Sequence, residues 1–233
     1  MQWLASLVFT IFLFAWTGAY AVMFVIVGPL MPFRMRFVMA RAWGGALLAV
    51  LRLVCRLDYR VEGAENLPRG NHIALIKHSS AWETFAQVAL VPPHVWVLKR
   101  ELVWVPFLGW ALKLMRAIAI DRGAGHNAVQ SVLQQGRQRL AEGEWIVIFP
   151  EGTRMPPGQT RRYGVSGALL ARENERLIVP IAHDAGYYWP RRGLYKKRGT
   201  IRVVIGPPIS AAGREPREVN EEAQAWIEAH SRH

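Results

Sequence analysis

The sequence predicts an α/β fold: a mixed sheet flanked by helices and preceded by an N-terminal membrane-anchoring helical segment. Three observations predict it. Residues 1–33 contain no Asp, Glu, Lys or Arg. Beyond Asp58, short β-branched runs alternate with helical patterns. Of 233 residues 52% are hydrophobic and only 20% charged, which excludes a disordered chain. The expected organisation is a membrane-associated helical unit over 1–57 and an α/β domain over 58–233.

The first element is an apolar helix over 3–30, long enough for the ~20 residues that a bilayer crossing needs. A signal peptide competes, because Ala19-Tyr20-Ala21 resembles a cleavage site. Met1-Gln2 supplies no positive start, however, and the apolar run continues past Ala21, so a retained anchor is preferred. Pro29 and Pro32 end this helix. A second helix follows over 34–57. At 100° per residue Arg34, Arg41, Arg52 and Arg56 fall within about 80° of one another, and only Arg36 lies elsewhere. Such a stripe suits a helix lying in the headgroup plane, or one packed amphipathically on the domain. Arginines directly after an apolar segment place the following chain on the cytoplasmic side of the inner membrane.

The remainder reads as strands over 59–62, 72–77, 95–99, 117–121, 145–149, 177–182 and 200–205. Helices are expected over 81–90, 102–115, 124–141, 166–174 and 216–230. The net charge of +12 is compatible with anionic partners of several kinds. Its concentration behind the apolar segment favours membrane lipids over nucleic acid. The single cysteine, Cys55, excludes a disulfide framework and a cysteine-based zinc cluster. His183-Asp184 is no metal pair, since neighbours on a strand face opposite ways, so no metal is expected.

Three segments at strand ends carry chemistry. In Lys77-His78-Ser79-Ser80-Ala81-Trp82-Glu83, a carboxylate one turn into a helix reaches back to an imidazole, holding one ring N–H and leaving the other nitrogen as a base. The competing reading is a capping box, with Glu83 bonding the Ser80 N–H; the two do not exclude each other. In Phe149-Pro150-Glu151-Gly152-Thr153-Arg154, Pro and Gly shape a tight turn and the Arg154 fork suits a phosphate. Lys99-Arg100-Glu101-Leu102, followed by Pro106 and Gly109, adds cations to the same rim, and its apolar helix reads as core or as the wall of a lipid channel. The aromatic and basic run from Tyr187 to Arg198 suits an interfacial loop, or a solvated one.

Taken in order, the His-x4-acid pair, Lys-x-Glu-Leu, Phe-Pro-Glu-Gly-Thr-Arg and Val179-Pro180-Ile181 resemble the glycerolipid acyltransferases, in particular the 1-acylglycerol-3-phosphate (lysophosphatidic acid) acyltransferases. The resemblance covers roughly residues 71–184. It implies a catalytic histidine at His78 with Glu83 as acidic partner, and substrate binding by Lys99, Glu151, Gly152, Thr153 and Arg154. It further implies a membrane-bound enzyme acting on lysophosphatidic acid, with acyl-CoA or acyl-carrier protein as co-substrate, no other cofactor and no nucleic acid. Two positions depart from the family pattern. The usual acid is Asp where this chain has Glu83, and Asn often stands where it has Lys77. Another lysophospholipid acceptor, a transacylase, or a non-catalytic lipid-binding scaffold are the alternatives.

Overall fold

The computed structural model describes residues 1–231, so the last two positions of the expected second unit lie outside the described residues. Helix α1 (Gln2–Val27) and helix α2 (Phe33–Cys55) form an antiparallel hairpin joined by the 3₁₀ turn Gly28–Leu30. The Trp43 indole donates to Thr17 at 3.2 Å and the Tyr20 hydroxyl to the Met39 carbonyl at 2.8 Å. Along the whole of α2, Phe37, Ala40, Gly44, Leu47, Leu51 and Cys55 are buried at helical spacing, whereas Arg34, Arg41, Arg52 and Arg56 are exposed. Arg36 turns inward and donates to the carbonyls of Gly28 and Leu114, both at 2.8 Å. It satisfies chain ends at the hairpin turn, which is why it leaves the stripe. A Cβ at Gly44 would meet the Phe85 carbonyl and Val88, so only glycine lets α2 approach so closely.

The sheet contains β1 (Leu57–Glu62), β2 (Ile73–Ile76), β3 (His94–Lys99), β4 (Ile118–Ile120), β5 (Trp145–Ile148), β6 (Leu177–His183), β7 (Gly199–Ile205) and β8 (Ile209–Ser210). Its order is β1-β7-β6-β2-β5-β3-β4, with β8 on β6. Strands β6, β2, β5, β3 and β4 are parallel, and β7 runs antiparallel to β6. Alternation sorts the side chains. Ala74, Ile76, Val147, Val179 and Ile181 face a core closed by α2 and by α3 (Glu83–Leu90). Ile73, Leu75, Ile146, Ile148 and Ile178 face the opposite core, built with α5 (His126–Ala141), α6 (Ser166–Glu173) and α8 (Pro216–His230).

The sequence pattern predicts one helix over 102–115; the structure breaks it. A 3₁₀ turn, Arg100–Trp104, precedes α4 (Leu108–Leu114). Pro106 lacks the donor a continuous helix needs, and Phe107 at φ 60° reverses the chain. Trp104 and Trp110, 75% and 49% exposed, consequently face outward instead of forming core. The short α7 (Ala185–Tyr188) and β8 lack a sequence signal of their own.

The first helix is also part of the core. Phe9 is fully buried in the cluster that contains Leu47, Trp189 and the sheet residues. Gln2 donates to the carbonyls of Cys55 and Lys196 at 3.0 and 2.7 Å. The Lys196 ammonium is buried against Thr10 Oγ1 at 2.6 Å and the carbonyls of Leu194 and Ser6 at 2.8 and 3.3 Å. It lies 4.5 Å from the centre of the Trp189 ring. Burial among neutral partners pulls its pKa down to about 8. The opposite side of α1 stays bare: Leu4, Leu7, Val8, Ile11, Phe14 and Ile26 form an exposed apolar stripe.

Candidate active site

Because β2, β5, β3 and β6 are parallel, their C-terminal ends reach one edge of the sheet, where α/β folds collect ligand-binding loops. His78 stands just past β2, Glu151 just past β5, Lys99 at the end of β3 and His183 at the end of β6.

The His78 ring packs flat on Phe149 with centroids 4.3 Å apart. Its Nδ1 lies 2.9 Å from Oε1 of Glu83. A carboxylate only accepts, so Nδ1 carries the hydrogen and the Nε2 lone pair is left to take a proton. The same Glu83 carboxylate accepts the backbone N–H groups of Ser79 and Ser80 at 2.9 and 2.8 Å. One carboxylate thus makes both the imidazole contact and the Ser80 contact that the sequence offered as competing readings. Glu83 is fully buried. Burial opposes its ionisation, but the His78 hydrogen bond, the fields of His183 and His78 and the Ser80 N–H outweigh it, holding the carboxyl below its usual range.

The turn after β5 closes with the Gly152 N–H donating to the Phe149 carbonyl at 3.0 Å, and Gly152 takes φ 67°, which favours glycine. Two contacts fasten this turn to the histidine loop. Glu151 Oε2 accepts the His78 N–H at 2.7 Å, and the Met155 N–H donates to the His78 carbonyl at 2.7 Å. Thr153 and Arg154, both half-buried, lie between those fastenings. Arg154 is therefore carried beside His78 by the backbone itself.

Glu151 is committed inside the protein. Its Oε1 is 2.7 Å from the Lys77 ammonium, which also meets both oxygens of Glu228 on α8 at 2.7 and 2.9 Å. Burial and the Glu228 charge push the Glu151 pKa up, to about 7, against the pull of Lys77 and the His78 N–H. It serves as the strut between Lys77, the His78 backbone and the turn that carries Arg154. Lys99 shares the sheet edge but stands two strands from His78, about 10 Å at normal strand spacing. Its ammonium pairs with Glu101 at 2.7 Å, and both side chains are exposed. A cavity of about 490 Å³ opens beside the histidine loop, lined by Lys77, Ser79, Thr160, His183, Asp184 and Glu228.

Sequence reasoning left three contributors out. Glu228 sits on a distant helix whose pattern reads as amphipathic, and nothing in it announces Lys77 as partner. Arg191 belongs to the basic run, yet its guanidinium donates to the Arg154 carbonyl at 3.2 Å. His183 reads as a satisfied strand end, and it is one: it meets the Lys77 carbonyl at 2.8 Å. No group of three or more His, Cys, Asp or Glu suited to a metal occurs among the described residues.

Comparison with known proteins places this architecture. A family model described as acyltransferase matches residues 58–184. The chain is 40% identical over 231 residues to a 1-acyl-sn-glycerol-3-phosphate acyltransferase of Pseudomonas aeruginosa, covering 97% of this chain and 90% of that protein. A Saccharomyces cerevisiae protein of the same name is 30% identical over 181 residues, covering 75% of this chain and 59% of the yeast protein. The crystal structure of the 1-acyl-sn-glycerophosphate acyltransferase of Thermotoga maritima superposes with a TM-score of 0.80 at 20% identity, covering 98% of this chain and 95% of that one. That likeness extends the shared fold over both N-terminal helices.

Proposed function

From the premise that this chain belongs to the 1-acyl-sn-glycerol-3-phosphate acyltransferase family, we propose that it acylates the free hydroxyl of lysophosphatidic acid to give phosphatidic acid, with an acyl thioester of coenzyme A or acyl-carrier protein as donor. His78 is the general base. Its Nε2 removes the hydroxyl proton as the oxygen attacks the thioester carbonyl, and Glu83 supports the imidazolium that forms. Collapse of the tetrahedral intermediate breaks the carbon–sulfur bond, and the imidazolium returns the proton to the departing thiolate. The new ester and a free thiol leave, and His78 is neutral again. No covalent acyl-enzyme is needed.

Arg154 binds the acceptor phosphate, because a planar guanidinium suits a phosphate's oxygens. The observation that carries this reading is the tie between the two loops: the His78 N–H donates to the Glu151 carboxylate and the His78 carbonyl accepts the Met155 N–H, on either side of Arg154. A phosphate held on Arg154 brings the rest of a small headgroup within reach of Nε2, which converts binding into orientation. Membrane attachment is assigned to the bare stripe of α1, with the exposed Trp104 and Trp110 as further apolar surface. The stripe leads out of a hairpin seated on the domain, which favours an interfacial hairpin over a free-standing span.

The test is activity of the purified full chain with lysophosphatidic acid and a series of acyl thioesters. Turnover that disappears in His78→Ala while the protein stays folded and vesicle-bound supports the reading. Undiminished turnover in that variant removes His78 as the base. An acceptor panel then distinguishes lysophosphatidic acid from other lysophospholipids.

A further inference from the structure

His183, at the end of β6, is buried, with its ring edge-on to Trp82 at 5.7 Å. The Ala185 N–H donates to its Nδ1 at 3.3 Å, so Nδ1 carries the lone pair and Nε2 the hydrogen. That Nε2 lies 2.8 Å from the Lys77 carbonyl and 3.8 Å from Oε2 of Glu83. The Lys77 carbonyl and the His78 N–H belong to the same peptide unit. Glu151 grips its N–H end at 2.7 Å and His183 grips its carbonyl end. Two buried side chains from two other strand ends thus hold the peptide from which the dyad imidazole hangs.

We infer that His183 is a positioning residue for acyl transfer. Through the Lys77 carbonyl it sets the plane of the Lys77–His78 peptide, and with it the direction in which His78 presents Nε2. Through the same N–H it faces the far oxygen of Glu83 and takes up part of that carboxylate's charge. The inference rests on the base role given to His78 above.

The ring must stay neutral for this. A protonated Nδ1 would set a second donor against the Ala185 N–H. Burial supports neutrality by pulling His183 below the ordinary imidazole range, outweighing the opposite pull of Glu83 and Asp184. The groups facing it are Glu83 and His78 from the loop after β2 and Asp184 beside it on its own chain. Lys77 contributes its carbonyl, its ammonium being taken by Glu151 and Glu228. When the His183 N–H is lost, more of the Glu83 charge weighs on the His78 imidazole.

The experiment measures kcat, both KM values and the pH profile of kcat/KM for His183→Phe, His183→Gln and His78→Ala in the full-length protein. His183→Phe is expected to lower kcat about tenfold at neutral pH, since misplacing a base costs rate rather than binding. Both KM values stay within about twofold, and the acid limb moves to higher pH. His183→Gln, whose side-chain amide can donate to the Lys77 carbonyl, restores most of the rate. A His183→Phe protein with unchanged kcat and pH profile, or one that loses only thermal stability, overturns the inference. If that variant does not fold, His183→Asn, too short to reach the carbonyl, replaces it. Equal kcat for the Asn and Gln proteins then has the same force. An active His78→Ala instead refutes the base reading itself, so the two failures are distinct.

Discussion

Lys77 and Glu228, 151 positions apart, meet through contacts of 2.7 and 2.9 Å that tie the C-terminal helix to the residue preceding His78. The Lys77 side chain is 4% exposed, so this is an interior ion pair whose partners depend on each other. Lys77→Met leaves Glu151 and Glu228 facing each other without a cation and is expected to destabilise by about 3–5 kcal/mol. Glu228→Gln costs less, because Glu151 still balances Lys77. The double variant falls short of the sum by about 1–3 kcal/mol in denaturant titrations, which measures the coupling directly.

Glu83 does two jobs with one carboxylate, and its length decides whether both survive. Glu83→Gln keeps the shape but removes the charge that supports the imidazolium in the proposed mechanism, and kcat is expected to fall by about 10²–10⁴ with little change in KM. Glu83→Asp keeps the charge but shortens the reach, so either the His78 contact or the Ser79 and Ser80 contacts lengthen. Its kcat falls between wild type and the Gln variant, and steady-state kinetics rank the three.

Arg154 is expected to act on the acceptor alone. Arg154→Ala raises the acceptor KM by about 10–100-fold and leaves the donor KM unchanged, as loss of one charge-assisted phosphate contact predicts. Arg154→Lys recovers part of the affinity, since a point charge replaces a planar fork. Equal effects on both substrates would count against a phosphate role.

Much of this site was legible in the sequence because its pieces are local. His78 and Glu83 lie within one turn of a helix start, and Glu151 to Arg154 form one tight turn, so spacing alone brings them near each other. The exposed arginines of α2 follow from helical periodicity for the same reason. What sequence pattern does not carry is strand order. Glu151 reaches His78 because β5 lies beside β2, and His183 reaches Lys77 because β6 lies on its other side. The helix expected over 102–115 failed for a local reason: Pro106 and Phe107 break it where the apolar pattern runs on.

His94 weakens the fold as pH falls. It is fully buried, its Nδ1 is 2.9 Å from the Pro92 carbonyl, and Phe37 and Trp96 lie against its ring. Burial lowers its pKa from 6.5 to about 4. The folded state therefore resists a proton that the unfolded chain accepts. The stability this represents is complete above pH 6.5 and drains away as pH falls toward 4, by about 3 kcal/mol. Melting curves across that window should flatten in His94→Phe relative to wild type.

Ile11 and Phe14 stand on the bare stripe of α1, 61% and 73% exposed. Replacing both by Asp removes apolar surface worth about 1.5–3 kcal/mol per side chain from contact with lipid. Vesicle co-sedimentation should fall steeply, while activity on short-chain, detergent-dispersed substrates is retained.

Phe9 and the buried Lys196 ammonium bind the opposite side of that helix into the protein. An enzymologist who trims the leading helix to gain solubility would uncover Trp189 and strip the Lys196 ammonium of its Ser6 and Thr10 partners. For this chain, the leading helix is a wall of the folded domain, and a truncated fragment would be a different, damaged molecule.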